Sequence, residues 1–205
     1  MIIKYLTSIE AIEKFSRLVR YAFIFLILLE FIRAVVTLIV FFTGNGGYVL
    51  TENNYSFHFL YFSDSSEYMK SDLTFVPLGD FNVVAKILYL FGTIPIYFLT
   101  LKNLYHLQRL FFYYSKGKIF TSEASGQIRR IGIIFCWFAL FGTLSELLQR
   151  NAIILTLSGY ICGLQLYPET WGKIFGFLLF GGMIVCISWI METGREMRED
   201  QELAI

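Results

Sequence analysis

Glu30 and Arg33 are charged residues in the middle of an apolar run, Tyr21 to Thr43, that is otherwise free of charge. At a rise of 1.5 Å per residue the run covers about 34 Å, slightly more than a hydrocarbon core of about 30 Å. The spacing i, i+3 puts both side chains on one helix face. An ionisable group at that depth is costly unless it is paired or faces protein or water. Two chemistries fit: a proton-coupled or ligand-binding centre, or an intramembrane ion pair that fixes helix packing. The second is preferred, because holding helices together suffices to keep such a pair.

A second polar set follows later in the chain. Glu146, Gln149 and Arg150 lie near the outer end of the third apolar run, and i, i+4 spacing allows a Glu146–Arg150 pair. Lys86 falls at similar depth early in the second run. These groups could line an outward-facing cavity with Glu30 and Arg33. The plainer reading is an interfacial belt of snorkelling side chains. Gly172 and Gly176 form a G-x-x-x-G pair, followed by Gly181 and Gly182. Small residues let helices approach closely in lipid, within one chain or between two copies. Packing within the chain is the expectation, and a homo-oligomer is compatible with it.

Other chemistries find little support. His58 and His106 are the two histidines and are expected on opposite sides of the membrane, so no metal or haem site is expected. No H-E-x-x-H, G-x-S-x-G or P-loop pattern occurs. The expectation is therefore no cofactor and no enzyme. An intramembrane Ser-plus-base hydrolase would be the enzymatic exception, but no serine is singled out. Cys136, Cys162 and Cys186 show no C-x-x-C spacing, which points to free thiols.

The elements that must position these residues follow from hydropathy. Of 205 residues, 56% are hydrophobic, 19% aromatic and only 16% charged. Soluble domains carry about 25% charged residues, so this chain is a membrane protein by composition. Its net charge of +1 suggests no direct nucleic-acid partner. A secretory leader is not expected: a mixed-polarity segment precedes a first run too long for a leader's apolar core. Four spans are expected near 18–43, 83–104, 130–150 and 171–192. The N-terminal segment 1–20 carries Lys4, Lys14, Arg17 and Arg20. Segment 101–130 carries Lys102, Arg109, Lys116, Lys118, Arg129 and Arg130 against one acid, Glu123. Glu52, Asp64, Glu67, Asp72 and Asp80 lie between the first and second spans, with Lys70 the one cation there before span two. The positive-inside rule then places both termini in the cytoplasm. The extracytoplasmic regions are 44–82 and 151–170; the cytoplasmic parts are the loop 105–129 and the tail 193–205.

Several finer expectations accompany this frame. Span two continues as a helix past the membrane, turns at Lys116-Gly117-Lys118, and restarts with Thr121 or Ser122 as a cap and Glu123 in the first turn. The outer segment has strand propensity at Val49-Leu50-Thr51 and Tyr55–Phe62, with Glu52-Asn53-Asn54 as a hairpin turn. Ala152–Tyr167 is read as strand or interfacial structure, with a re-entrant segment as the alternative. The fold class is thus an all-α integral membrane protein, a four-helix bundle with a small, partly β extracytoplasmic cap.

Two segments carry a family resemblance. One is Gly117-Lys118-Ile119-Phe120-Thr121 with Ile128-Arg129-Arg130-Ile131-Gly132, and the other is the tail Met197 to Ile205. Together they resemble the bacterial four-span family known as domain of unknown function 2975. Its members show a G-x-x-F-T turn, a basic pair with "I-G" entering span three, and an acidic tail ending in Thr-Val where this chain has Ala204-Ile205. The resemblance implies the four-span topology and a bacterial cytoplasmic (inner) membrane. Some members look to be encoded beside small helix-turn-helix regulators, which implies a signalling or regulator-sequestering role.

The acidic tail, Glu199, Asp200 and Glu202, shares the cytoplasm with the basic residues Lys116, Lys118, Arg129 and Arg130. Opposite charge suggests that the tail docks on that turn, anchored by Leu203 and Ile205, and that the two form one partner-binding face. The expected function is a non-enzymatic regulator or accessory subunit, with the lipid bilayer and a protein as partners. The alternative is a small ion-coupled transporter using Glu30, Arg33 and Glu146.

Overall fold

A computed structural model describes residues 2–43, 46–50, 55–59, 74–158 and 168–203, with side chains described over 11–43, 79–156 and 171–201. Four helices occupy most of this chain: α1 (Ile2–Thr43), α2 (Val83–Tyr114), α3 (Ser122–Ser158) and α4 (Pro168–Leu203). Each expected span lies within one of them. All four are long and apolar enough to cross a membrane. They expose many large apolar side chains, among them Phe25, Phe42, Phe91, Leu179 and Ile190. Exposed apolar side chains in such number on spanning-length helices suit lipid rather than water and mark a multi-pass membrane protein.

Local chemistry explains the helix ends. Asn82 caps α2, its Oδ1 accepting from the Ala85 amide at 2.7 Å. At the other end the Gly117 amide donates to the Tyr114 carbonyl at 3.1 Å and the Lys118 amide to the Tyr113 carbonyl at 3.0 Å. This is a Schellman closure, which needs a left-handed residue, and Gly117 has φ of 70°. Thr121 then caps α3, its hydroxyl accepting from the Ala124 amide at 3.4 Å. Glu123 sits in that first turn. Pro95 lies inside α2 and leaves one backbone carbonyl without its helical donor.

Between α1 and α2 the backbone forms β1 (Gly46–Leu50), β2 (Tyr55–Phe59) and β3 (Thr74–Pro77), in the order β2-β1-β3. Both pairings are antiparallel, with Tyr48 opposite Phe57 on one side and Val76 on the other. A 3-10 turn, Leu78–Asp80, leads into α2. The expected turn Glu52-Asn53-Asn54 and the acidic residues Asp64, Glu67 and Asp72 lie outside the described residues. So do Cys162 and the terminal Ala204-Ile205. One expectation needs correction: α3 remains helical through Ser158, so residues 152–158 are not strand. Ala152 to Ser158 contains no breaker, and the first glycine comes only at Gly159.

The chain divides into two compact units. Unit 1 comprises Met1–Glu30, Ile96–Thr143 and Tyr167–Ile205. Its buried Leu110, Ala124 and Ile131 pack with Leu107, Tyr114, Ile128, Phe135 and Ile184. Phe135 meets Phe180 edge-on at 5.0 Å, within the favourable range for aromatic pairs. Unit 2 comprises Phe31–Pro95 and Leu144–Leu166. Its core is Val40, Phe41, Phe81, Ala85, Tyr89, Ala152 and Ile153, with Phe41 stacked on Tyr89 at 5.1 Å.

Glycine contacts show where helices touch. In unit 1, a methyl group built on Gly132 would lie 2.8 Å from the Gly181 carbonyl oxygen, and one on Gly181 2.7 Å from the Gly132 oxygen. The backbones of α3 and α4 therefore meet directly at this pair. On Gly172 or Gly176 the same methyl would meet nothing within 4 Å among the described residues. The close crossing uses Gly132 and Gly181 rather than the G-x-x-x-G pair singled out by spacing.

Hydroxyl side chains in the spans turn back on their own helix. Thr37, Thr93, Thr100, Thr143 and Thr156 each donate to the carbonyl four residues earlier, at 2.7 to 2.9 Å. In an apolar medium such bonds satisfy the hydroxyl without a partner helix.

Candidate interaction face and buried polar contacts

The start of α3 and the end of α4 enclose an open cleft of about 360 Å³ in unit 1. Phe120, Thr121, Ser122 and Glu123 line one side; Arg195, Arg198 and Glu199 line the other. Arg195 is held by its own helix: its Nη1 donates to Glu199 Oε1 at 2.6 Å, and Glu192 lies 3.9 Å from its Nη2. Its Nε is enclosed and has no hydrogen-bond partner. Backbone hydrogen bonding in the first turn of α3, and then the Thr121 hydroxyl, hold the exposed Glu123 carboxyl below the usual carboxylate range. A carboxylate there also suits the positive end of the helix dipole. The cleft thus offers an aromatic ring, two hydroxyls and charges of both signs, a surface that suits a polypeptide.

The sequence-derived residues fall into three groups. Glu199 reaches the cleft beside Thr121–Glu123, but its ion-pair partner is Arg195, not Lys116, Lys118, Arg129 or Arg130. Lys116, Lys118, Arg129, Arg130 and Asp200 are exposed. The side chains of Glu202 and Leu203 lie outside the described residues. Glu30 is half-buried and Arg33 exposed, and each engages another group. Glu146 and Arg150 are likewise half-buried and engaged, and Lys86 is half-buried.

Sequence reasoning missed two buried polar contacts in unit 1. His106 Nδ1 lies 2.8 Å from Gln127 Oε1, joining α2 to α3, and both residues are buried. The Nδ1–H tautomer donates in this bond. Ser188 is fully buried, and its hydroxyl donates to the Ser125 carbonyl at 2.8 Å, joining α4 to α3. The expected continuation of span two as a helix gave His106 a place on a helix, but nothing in spacing pointed to Gln127. In unit 2, Gln149 Nε2 donates to Thr93 Oγ1 at 3.2 Å and to Ser145 Oγ at 3.0 Å. Gln149 thereby belongs to the contact between α2 and α3 in that unit, where Gly92 sits against the Ser145 carbonyl. Among the described residues no group of three His, Cys, Asp or Glu could hold a metal ion.

A His106→Leu substitution should cost about 1–3 kcal/mol, because Gln127 is left buried without its partner. The double change His106→Leu with Gln127→Leu should recover part of that loss. Thermal unfolding of the four species in detergent measures the coupling, and additive losses would mean the bond contributes nothing.

No protein-family model, curated protein or solved structure matches this chain.

Proposed function

We propose that this protein is a non-enzymatic regulator or accessory subunit of the bacterial inner membrane, with both termini in the cytoplasm. It binds a protein partner through the cytoplasmic face where α3 begins and α4 ends, and its sheet forms part of an outer cap. The cleft lined by Phe120–Glu123 and Arg195–Glu199 carries this reading. It lies at the chain's basic end, beyond the apolar runs, where a partner can reach it. The contacts inside the spans favour a packed interior over a pathway: Gln149, Thr93 and Ser145 satisfy one another. The resemblance to domain of unknown function 2975 adds support by association.

The test is co-purification of the tagged full-length chain from its native membrane, with Phe120→Ala and Arg198→Glu as the altered cleft. A stoichiometric protein should accompany the parent and be lost from the double variant while folding is retained. Sidedness is read in the same cells. A cysteine at Ser115 should resist an impermeant thiol reagent, and one at Ser65 should react. The reverse labelling would invert the topology and end the cytoplasmic reading. Ion-dependent substrate uptake by the purified chain, abolished by Glu30→Gln, would replace it with the transporter.

A further inference from the structure

Two cations in unit 1 share one aromatic ring. The Arg20 guanidinium carbon lies 4.7 Å from the Phe112 ring centroid, and Lys116 Nζ lies 4.3 Å from the same centroid. The stack of Phe23 on Phe111, at 5.5 Å, brings α1 against α2 at this level and sets the pair in place. Neither cation forms an ion pair among the described residues, and the Arg20 Nε is enclosed with no hydrogen-bond partner. Glu13 is the nearby acid: its Oε1 lies 3.0 Å from where a methyl group on Gly117 would sit, and it pairs with neither cation.

This arrangement places two cations without an ion-pair partner, among the described residues, at a defined place. The ring attracts each cation, but two like charges no more than about a Debye length apart (~8 Å) repel one another. An anion beside both removes that repulsion. Depth identifies the anion. Arg20 immediately precedes the apolar run of α1, and Lys116 closely follows α2, which is long and apolar enough to cross a membrane over Val83–Tyr114, past the expected edge at 104. Tyr21, Tyr113 and Tyr114 flank them, a residue type of the membrane–water interface. Arg20 is half-buried and Lys116 exposed, so a group at the surface can reach both.

We propose that Arg20, Phe112 and Lys116 form a binding site for the headgroup of an anionic phospholipid. The phosphate sits beside the two cations while the acyl chains follow the exposed apolar surface of α1. The site shares no residue with the protein-binding cleft and stands whether or not that reading holds.

The experiment uses the full-length chain in phosphatidylcholine nanodiscs containing graded fractions of phosphatidylglycerol, with retained lipid counted by native mass spectrometry. A basic residue near an anionic surface contributes about fivefold in affinity. Arg20→Gln and Lys116→Gln should each weaken phosphatidylglycerol retention about fivefold, and the pair about 25-fold. Lys173→Gln, an equal loss of charge near the start of α4, should leave retention unchanged. Lys116→Gln alters an exposed side chain, so its result stands even if Arg20→Gln fails to fold. Unchanged retention in the Lys116→Gln variant, or equal retention of phosphatidylcholine, would overturn the proposal. So would displacement of the lipid by millimolar inorganic phosphate, which would assign the site to a free anion.

Discussion

Gly181→Ala should lower the stability of this protein by about 1–3 kcal/mol, and Gly132→Ala should do the same. A methyl group at either position falls under 3 Å from the carbonyl oxygen of the other. That neighbour is backbone and cannot swing aside. The helices must separate, and separation also loosens the contact of Gly181 with Cys136 and of Gly132 with Val185. In lipid this loss is not offset by a hydrophobic drive between helices, because van der Waals packing holds them together. Gly176→Ala is the internal comparison. Its methyl meets open space among the described residues, and alanine is the better helix former by about 0.8–1 kcal/mol. Denaturation in detergent should therefore order the variants with Gly176→Ala at or above the parent and both other alanines below it. A destabilised Gly176→Ala with an unaffected Gly181→Ala would reverse the assignment of the crossing.

The i, i+3 spacing of Glu30 and Arg33 predicts that the two are coupled, so removing one should cost on the order of 3–5 kcal/mol and removing both much less. The reason is the medium. A single carboxylate or guanidinium left within an apolar span has lost its counter-charge where water cannot replace it. The pair together adds little net charge. Thermal midpoints of Glu30→Leu, Arg33→Leu and the double variant test the coupling. Strictly additive losses would show two independent residues, each compensated by its own surroundings.

Helix placement was legible because it rests on local chemistry. The apolar runs, the Thr121 cap with Glu123 behind it, and the Gly117 turn are all short-range patterns, and each has its counterpart in the structure. The end of α3 was misread: residues 152–158, taken as strand or interfacial structure, continue the helix through Ser158. The contacts were harder to read. Gly132 stands alone in sequence, with no glycine four residues away, so a motif search selects Gly172 and Gly176 instead. Its role depends on meeting Gly181, 49 positions on, and no periodicity encodes that. The bond between His106 and Gln127 and the one from Ser188 to the Ser125 carbonyl are hidden for the same reason. The cleft is formed by segments more than 70 positions apart. Charge complementarity brought Glu199 to the right end of the chain but assigned it the wrong cations: Arg195, one turn back on its own helix, is closer and already aligned.

The threonines that bond back to their own helices bear on how the chain is made. A span leaving the insertion machinery meets lipid before the later helices of the chain exist. Were its hydroxyls dependent on a later helix, each would cross into the bilayer unsatisfied and favour retention in the channel. Thr37 on the first helix, Thr93 and Thr100 on the second, and Thr143 and Thr156 on the third instead carry their acceptors with them. These hydroxyls impose no waiting step, so the helices can be released in order of synthesis. Bonds that do need a neighbour, such as that between Ser188 and Ser125, can then form after the last helix has entered.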